Sequence, residues 1–375
     1  MTETMSSYWL AEAAPPIPER RLDGPADVVV VGGGITGCAA ALTLAEAGLR
    51  VRLHDGREIA GGASGRNGGF ALRGGAAPYD VTIETIGHDA ARSYWRRTEE
   101  ALDRLEALSG DALRRTGSLR LAADDEERDA LAVEYEALRA DDFAAEWIEE
   151  PLDGRFRGAI FHPGDAALQP ARWVRRLAVL AAEAGVEIRE HNRVESLDDV
   201  EAGRVLVATD GYPSGLLGQI EGLIVPTRGQ MIATEPLAVR IFDCPHYGRH
   251  GFDYWQQTPD GRILAGGFRD FALQSEFTAD EEVTPAIQGA LESFVADLVG
   301  RPVAVEHRWA GIFGLVLDFL PVVGRVPGEE RVWVAGGYSG HGNVLGLLCG
   351  ELVAQAMLGR EAPELALFDP ARLLL

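Results

Sequence analysis

The sequence predicts an α/β chain: a parallel, doubly wound sheet domain with a smaller α+β domain, built on a mixed, largely antiparallel sheet, inserted into it. Three observations lead there. Four consecutive valines at 28–31 read as a strand buried on both faces, the centre of a parallel sheet. Two further blocks of strand followed by helix stand near the middle and at the end of the chain. Between the blocks the pattern changes to charged amphipathic helices and alternating strands.

The elements follow in order. The first strand runs into Gly32-Gly33-Gly34-Ile35-Thr36-Gly37, then a helix to about Ala47 that Gly48 stops as a left-handed residue. A strand at 50–55, with Val51 and Leu53 on one face, completes a βαβ unit. Residues 88–108 and 124–140 are amphipathic helices. A second block starts near Ala159; Pro170 suits the first turn of a helix carrying Trp173, Val174, Leu177, Leu180 and Ala184, and Gly185 ends it. Strands follow at 186–189 and 204–209. Residues 223–235, 252–258 and 262–268 alternate as antiparallel strands, with a hairpin turn at Pro259-Asp260-Gly261-Arg262. A strand at 331–335, a glycine-rich turn at 336–342 and a helix at 344–358 close the pattern. The first domain is thus assigned 26–87, 151–218 and 314–375, and the inserted one 88–150 and 219–313. Proline-rich residues 1–25 are read as an extension over the surface.

A chain of 375 residues suits about two domains. The 58 acidic residues against 35 basic ones give a charge of −23, which excludes an electrostatic footprint for nucleic acid or an anionic membrane. All 35 basic residues are arginine, so mechanisms through a lysine Schiff base or a P-loop lysine are excluded. Cys38, Cys244 and Cys349 form no CxxC pair; neither a disulfide framework nor a metal site is expected, and a cytoplasmic setting is. The absence of a long apolar run or a signal-peptide start predicts no membrane segment.

Gly32-x-Gly34-x-x-Gly37 has the context that makes this spacing informative: a buried strand before, a helix after, and Asp55 eighteen residues beyond Gly37. Gly32 makes the tight turn, Gly34 admits a pyrophosphate, and Gly37 with Cys38, Ala39 and Ala40 seats the helix close to the sheet. Ile35 and Thr36 open that helix, whose positive end faces the phosphates. Asp55, followed by Gly56 and Arg57, can accept from a ribose; His54 is read as a strand residue. The second glycine-rich loop, 59–69, separates a flavin from a plain nicotinamide cofactor, because a ribityl chain continues past the first turn. Gly62, Ala63, Gly68, Gly69 and Phe70 would line it, and Ser64, Arg66 and Asn67 would donate to it.

With these motifs, ATDG at 208–211, DFLPVVGR at 318–325 and GYSGHG at 337–342, the chain resembles the FAD-dependent D-amino acid oxidase/glycine oxidase superfamily over nearly its whole length. GASGRNGG, Ser7-Tyr8-Trp9 and GYSGHG most resemble the gamma-glutamylputrescine oxidoreductase branch of amine oxidases. The resemblance implies a glutathione reductase-type FAD fold and non-covalent FAD. It implies that Val194 meets the adenine edge and that Thr209 and Gly211 form a second dinucleotide signature. It also implies that Gly311, Gly337, Ser339, Gly340, Gly342 and Asn343 surround the flavin. The stretch 194–204 is too short for the β-meander usual in such domains. Phe313 stands where relatives that take amino acids carry an arginine for the carboxylate. An amine substrate is therefore expected, with Arg73 and Arg269 either substitute cations or ordinary ion-paired residues. Arg66 occupies the loop where some relatives link a histidine to flavin, and Cys349 reads as a buried thiol.

Tyr254, Trp255, Phe313 and Tyr338 are candidate pocket walls, each equally readable as a core aromatic. His341 is either a turn residue packed on the flavin ring or a polar group near substrate. The expected reaction is oxidation of an amine C–N bond by hydride transfer to flavin N5, then hydrolysis of the imine to a carbonyl and an amine or ammonia. Oxygen or another acceptor would take the electrons. The alternatives are an FAD oxidase of small amino acids and a non-catalytic flavoprotein redox partner.

Overall fold

A computed structural model describes residues 5–374. Its first sheet has the order Val322–Arg325, Val332–Gly336, Ala202–Val207, Ala26–Val31, Val51–His54, Glu187–Arg189. All neighbours are parallel except Val322–Arg325, which runs against its partner. The valine run explains why Ala26–Val31 sits inside the sheet. Val28 and Val30 join the helical side of the core, while Val29 and Val31 meet Val205, Val207 and Ile220 on the other side.

Helices Ile35–Glu46 and Gly342–Met357 pack on the Val28 side through small residues. A Cβ at Gly350 would lie 2.6 Å from the Thr36 carbonyl oxygen and 2.9 Å from Ala39 Cβ, and one at Gly346 3.1 Å from Thr36 Oγ1. A Cβ at Gly37 would collide with the Gly32 carbonyl. Glycine thus lets the two helices touch almost backbone to backbone. Pro170–Glu183 packs beside them, its first turn capped by the Gln169 side chain accepting from Arg172 N–H.

The second sheet runs Val305–Leu315, Val225–Thr234, Ile263–Gly267, Asp253–Gln257, His246–Gly248, Ser118–Ala122, Gly158–His162, Glu146–Ile148. It is antiparallel apart from the parallel pair of His246–Gly248 with Ser118–Ala122. Helix Pro285–Val299 covers its outer face with Ile287, Leu291 and Val295 against Trp255, Ile232 and Ile263. The opposite face looks at the first domain. Between Glu187–Arg189 and Ala202–Val207 the chain forms only the short helical turn Leu197–Asp199, without a strand.

Two expectations change. Gly158–His162 does not join the parallel sheet with the block that follows it; it pairs with Ser118–Ala122 and Glu146–Ile148 in the second sheet. Periodicity identifies a strand but not its partner. The N-terminal extension lies over the surface only in its later part. Tyr8–Ala11 forms a short helical turn that buries Trp9, whose indole N–H donates to the Asn67 carbonyl at 2.7 Å. Ser7 Oγ donates to the Gly65 carbonyl at 2.8 Å, so this segment braces the second glycine-rich loop. No helix among the described residues is long and apolar enough to cross a membrane.

Overpacking the helix contact by Gly350→Val is expected to cost about 1–3 kcal/mol and to lower the melting temperature. Gly289, exposed in Pro285–Val299, is the contrast, because a Cβ added there would meet nothing within 4 Å. Gly289→Ala should stabilise by about 0.5–1 kcal/mol, and equal melting shifts for the two variants would contradict the packing described.

Candidate active site

A cleft of about 210 Å³ opens where the central strands end. Gly32, at φ +114°, turns the chain out of Ala26–Val31. A Cβ there would strike the Ala208 carbonyl, so only glycine passes. Helix Ile35–Glu46 then starts on Gly34 with no side-chain cap and no acid in its first turn. Gly342–Met357 starts in the same way, on His341. Two positive helix ends are left without a carboxylate of their own.

The cleft gathers Gly32, Gly34, Asp55, Gly56, Arg57 and, from the second loop, Gly62, Ala63 and Ser64. Val194 and Thr209 close it from the far side. Ser64 Oγ accepts from Ile35 N–H at 3.2 Å, joining the loop to the helix end. Asp55, expected to accept from a ribose, has a structural part: its oxygens accept Gly33 N–H at 2.6 Å and Arg57 N–H at 2.7 Å, locking both turns. Burial raises its pKa, and these two backbone donors pull it back.

Several residues at the cleft were not singled out from sequence. Asp210, at φ +49°, accepts Gly314 N–H at 2.9 Å and Gly337 N–H at 2.7 Å, tying three distant segments together. Burial pushes its pKa up while the backbone donors lower it. The signal was the Asp–Gly pair within ATDG, since aspartate tolerates the left-handed conformation. Gly211 beside it has no room for a Cβ against the Phe313 backbone. Tyr212 donates to Glu281 at 2.6 Å and lies 4.8 Å beneath the Arg57 guanidinium. His54 lines the cleft, its Nδ1 2.6 Å from Asn192 Oδ1.

The second loop differs from the expectation of free donors. Asn67 donates to the Ala63 and Ser64 carbonyls, both at 3.1 Å, and accepts from Gly69 N–H at 2.8 Å. It also exchanges bonds with Asn343, which donates to the Phe70 carbonyl at 2.7 Å. Arg66 donates to the Gly61 carbonyl at 2.9 Å and the Ala310 carbonyl at 3.2 Å. Gly311 admits that contact, since a Cβ there would lie 2.8 Å from Arg66 Cβ. These side chains satisfy backbone groups, which a composition-based reading of a loop cannot see. In the turn before Gly342, Gly337 and Gly340 have positive φ, and Ser339 Oγ accepts from Val316 N–H at 3.2 Å.

On the sheet face toward the first domain, Tyr254, Phe313, Phe70 and Arg269 converge. The Tyr254 and Phe70 rings are 6.1 Å apart. Arg269 lies 4.4 Å over Phe252 and 5.6 Å over Phe313. A Cβ at Gly229 would be 3.5 Å from Tyr254 Oη and 3.8 Å from the Phe313 ring, so glycine opens space between the two aromatics. Arg269 has no hydrogen bond or ion pair among the described residues, and burial lowers its pKa. Burial pushes the Tyr254 phenol up to about 12. Burial, with Arg120 and Arg269 nearby, pulls His341 down to about 4. Both are neutral at ordinary pH.

Three candidates fall elsewhere. Trp255 points to the opposite face and stacks on His246 at 5.1 Å. Strand alternation separates it from Tyr254. Tyr338 sits in the helix seam, its hydroxyl 2.8 Å from Thr36 Oγ1, and is no pocket wall. Arg73 donates to Glu99 at 3.1 Å and to the Ala144 carbonyl at 2.7 Å, so it is not a free cation.

The profile of a family described as DAO, FAD dependent oxidoreductase, matches residues 27–356. The chain belongs to the DAO family. It is 29% identical to gamma-glutamylputrescine oxidoreductase of Escherichia coli, with 96% of this chain and 90% of that one covered. It is also 29% identical to glycine oxidase of Pseudomonas putida, covering 92% and 96%. The crystal structure of glycine oxidase from Geobacillus kaustophilus superposes with a TM-score of 0.74 at 24% identity, over 94% of this chain and all of that one, a likeness of fold.

This DAO-family chain is an FAD-dependent oxidoreductase, and the cleft fits a dinucleotide: glycine where a side chain would fill the space, the N-terminal end of Ile35–Glu46 at its wall, and Asp55 at the end of the second strand. A Cβ at Gly34 would lie 2.8 Å from Ser64 Oγ and begin to fill the cleft. Gly34→Val is therefore expected to purify with little flavin; a visible absorbance equal to wild type would contradict the placement.

Proposed function

We propose that this DAO-family enzyme oxidises the C–N bond of a small amine to an imine that hydrolyses in water. The observation that carries this reading is the Tyr254–Phe70–Phe313 surface with no acid–base pair on it. Non-covalent FAD, held by the cleft, would supply the acceptor for the hydride. Non-covalent binding fits an arginine at position 66 already engaged with carbonyls and a Cys349 thiol buried within a helix.

The protein's own part is orientation and desolvation. Tyr254 and His341, both neutral, offer polar contacts without taking the amine's proton. Arg269 repels an ammonium ion, so the substrate is selected as the free base. Phe313, in place of a cation, removes one anchor for a carboxylate next to the reacting carbon. The names of the relatives agree with amine or amino acid substrates: gamma-glutamylputrescine for one and glycine for the other. Oxygen or another acceptor would regenerate the oxidised flavin, and the lysine-free sequence favours neither.

A second reading, oxidation of a small amino acid, draws on Arg269 alone, because an unpaired, half-buried guanidinium beside Tyr254 would suit a carboxylate. Anaerobic bleaching of the bound flavin separates the two. Reduction by aliphatic amines supports the first, reduction by glycine, sarcosine or proline the second, and reduction by neither overturns both.

The pH dependence follows from the free-base requirement. Anaerobic reduction by an aliphatic amine of ordinary pKa should rise about tenfold per pH unit between roughly pH 7 and 9. Tyr254 at about 12 and His341 at about 4 lie outside that window and leave the slope unbent. A rate that falls with pH would contradict selection of the free base.

A further inference from the structure

A second chamber of about 50 Å³ lies behind His341, several times the ~10–15 Å³ that one water needs. It is lined by Arg73, Arg120, Glu134, His162, Asp165 and Tyr247. Its wall belongs to the same sheet face as Tyr254. Tyr247 stands opposite Tyr254 across one strand pair, and Arg120 opposite Tyr247 across the next, so the three side chains share one face. Two strand spacings put the Arg120 strand roughly 10 Å from that of Tyr254, the span of about eight carbon–carbon bonds. His341 stands between the two places, within electrostatic reach of both Arg120 and Arg269.

The hydrogen bonds in the chamber are unevenly used. Its acceptors are engaged. Glu134 accepts Tyr79 N–H at 3.1 Å and Arg120 Nη1 at 2.5 Å. Asp165 accepts Arg73 N–H at 3.0 Å and Ser118 Oγ at 2.7 Å. His162 Nδ1 lies 3.1 Å from Arg73 Nη2; a guanidinium only donates, so Nδ1 accepts and Nε2 carries the proton. Burial and the two arginines hold that ring neutral. The donors, by contrast, are left over. Arg73 Nε is buried without a partner. Arg120 uses only Nη1, and neither the Tyr247 hydroxyl nor His162 Nε2–H has a partner among the described residues. An acceptor entering the chamber would meet these free donors, and Arg73 Nε, buried, has no other partner among the described residues.

We propose that this chamber is a subsite for a carboxylate at the far end of an elongated amine substrate, with Arg120, His162 and Tyr247 as its specificity-determining residues. The inference rests on the amine reading above and narrows it. A distal carboxylate meets several free donors, whereas the second ammonium of a plain diamine finds every carboxylate already occupied. The substrate class is thus an amine with its anionic group many bonds from the reacting carbon, unlike a small α-amino acid.

The test compares 8-aminooctanoate, octylamine and 1,8-diaminooctane as anaerobic reductants of the holoenzyme's flavin. The acid should be about tenfold or more as efficient as octylamine, the range expected for a hydrogen bond to a charged group, and the diamine should show no advantage. Most of the gain should appear in the half-saturating concentration. In Tyr247→Phe, which removes one hydroxyl only, the acid-to-octylamine ratio should fall severalfold, and in Arg120→Gln it should approach one. Arg120→Gln leaves Glu134 unpaired and can fail to fold; the wild-type series and Tyr247→Phe do not depend on it. An acid no better than octylamine, a diamine preferred over both, or a ratio unmoved in Tyr247→Phe overturns the subsite while leaving amine oxidation standing. Failure of every amine to bleach the flavin overturns both.

Discussion

The contact between Ile35–Glu46 and Gly342–Met357 is the constraint on which the rest depends. Gly346 and Gly350 remove the side chains that would hold these helices apart, and Gly37 seats the first helix against the Gly32 turn. The Thr36–Tyr338 hydroxyl pair ties the seam at the end where both helices begin. As a result two positive helix ends, one from each end of the sequence, come to the same side of the parallel sheet. Neither has an acid in its first turn to neutralise it. A bound anion therefore meets a field that the fold has prepared without any lysine.

Around that seam, polar side chains serve mostly to hold loops in place. Asp55 locks the first two turns, Asp210 joins three segments, and Asn67 and Asn343 brace one loop against the other. A buried carboxylate with two backbone donors is satisfied at modest cost. Side-chain hydrogen bonds thus brace the glycine-rich loops around the cleft from within the protein. The inserted sheet divides its labour by face. Trp255 and its neighbours pack under Pro285–Val299, and Tyr254, Tyr247 and Arg120 look the other way. The outward face is a packing surface; the inward face carries Tyr254, Phe313, Tyr247 and Arg120.

Much of the site could be read from the chain because its signals are local. The valine run, Gly32, Gly34, Gly37 and Asp55 lie within one βαβ unit, where spacing and geometry are nearly equivalent. The left-handed turn at Gly48 and the hairpin at Gly261 are equally local. Trp255 could have been assigned to the far face from alternation alone, given Tyr254 on the near one. Tyr338 could not, because its partner Thr36 is three hundred residues away and nothing local marks the pairing. The same holds for Asp210, whose partners Gly314 and Gly337 come from separate parts of the chain.

By itself the sequence determined the βαβ start, the glycine positions that no other residue can occupy, the absence of lysine chemistry and the alternation of each strand. These are properties of short stretches, set by sterics and side-chain chemistry within a few residues. Only the tertiary structure decided that Gly158–His162 belongs to the second sheet and that Trp9 anchors the second glycine-rich loop. It alone left Arg269 without a hydrogen bond or ion pair among the described residues, beside Phe313, and gathered Arg120, His162 and Tyr247 around one chamber. Strand partners, ion pairs and cavities depend on which distant segments meet. That is settled by the packing of the whole core, where a residue's neighbours in space matter more than its neighbours in the chain.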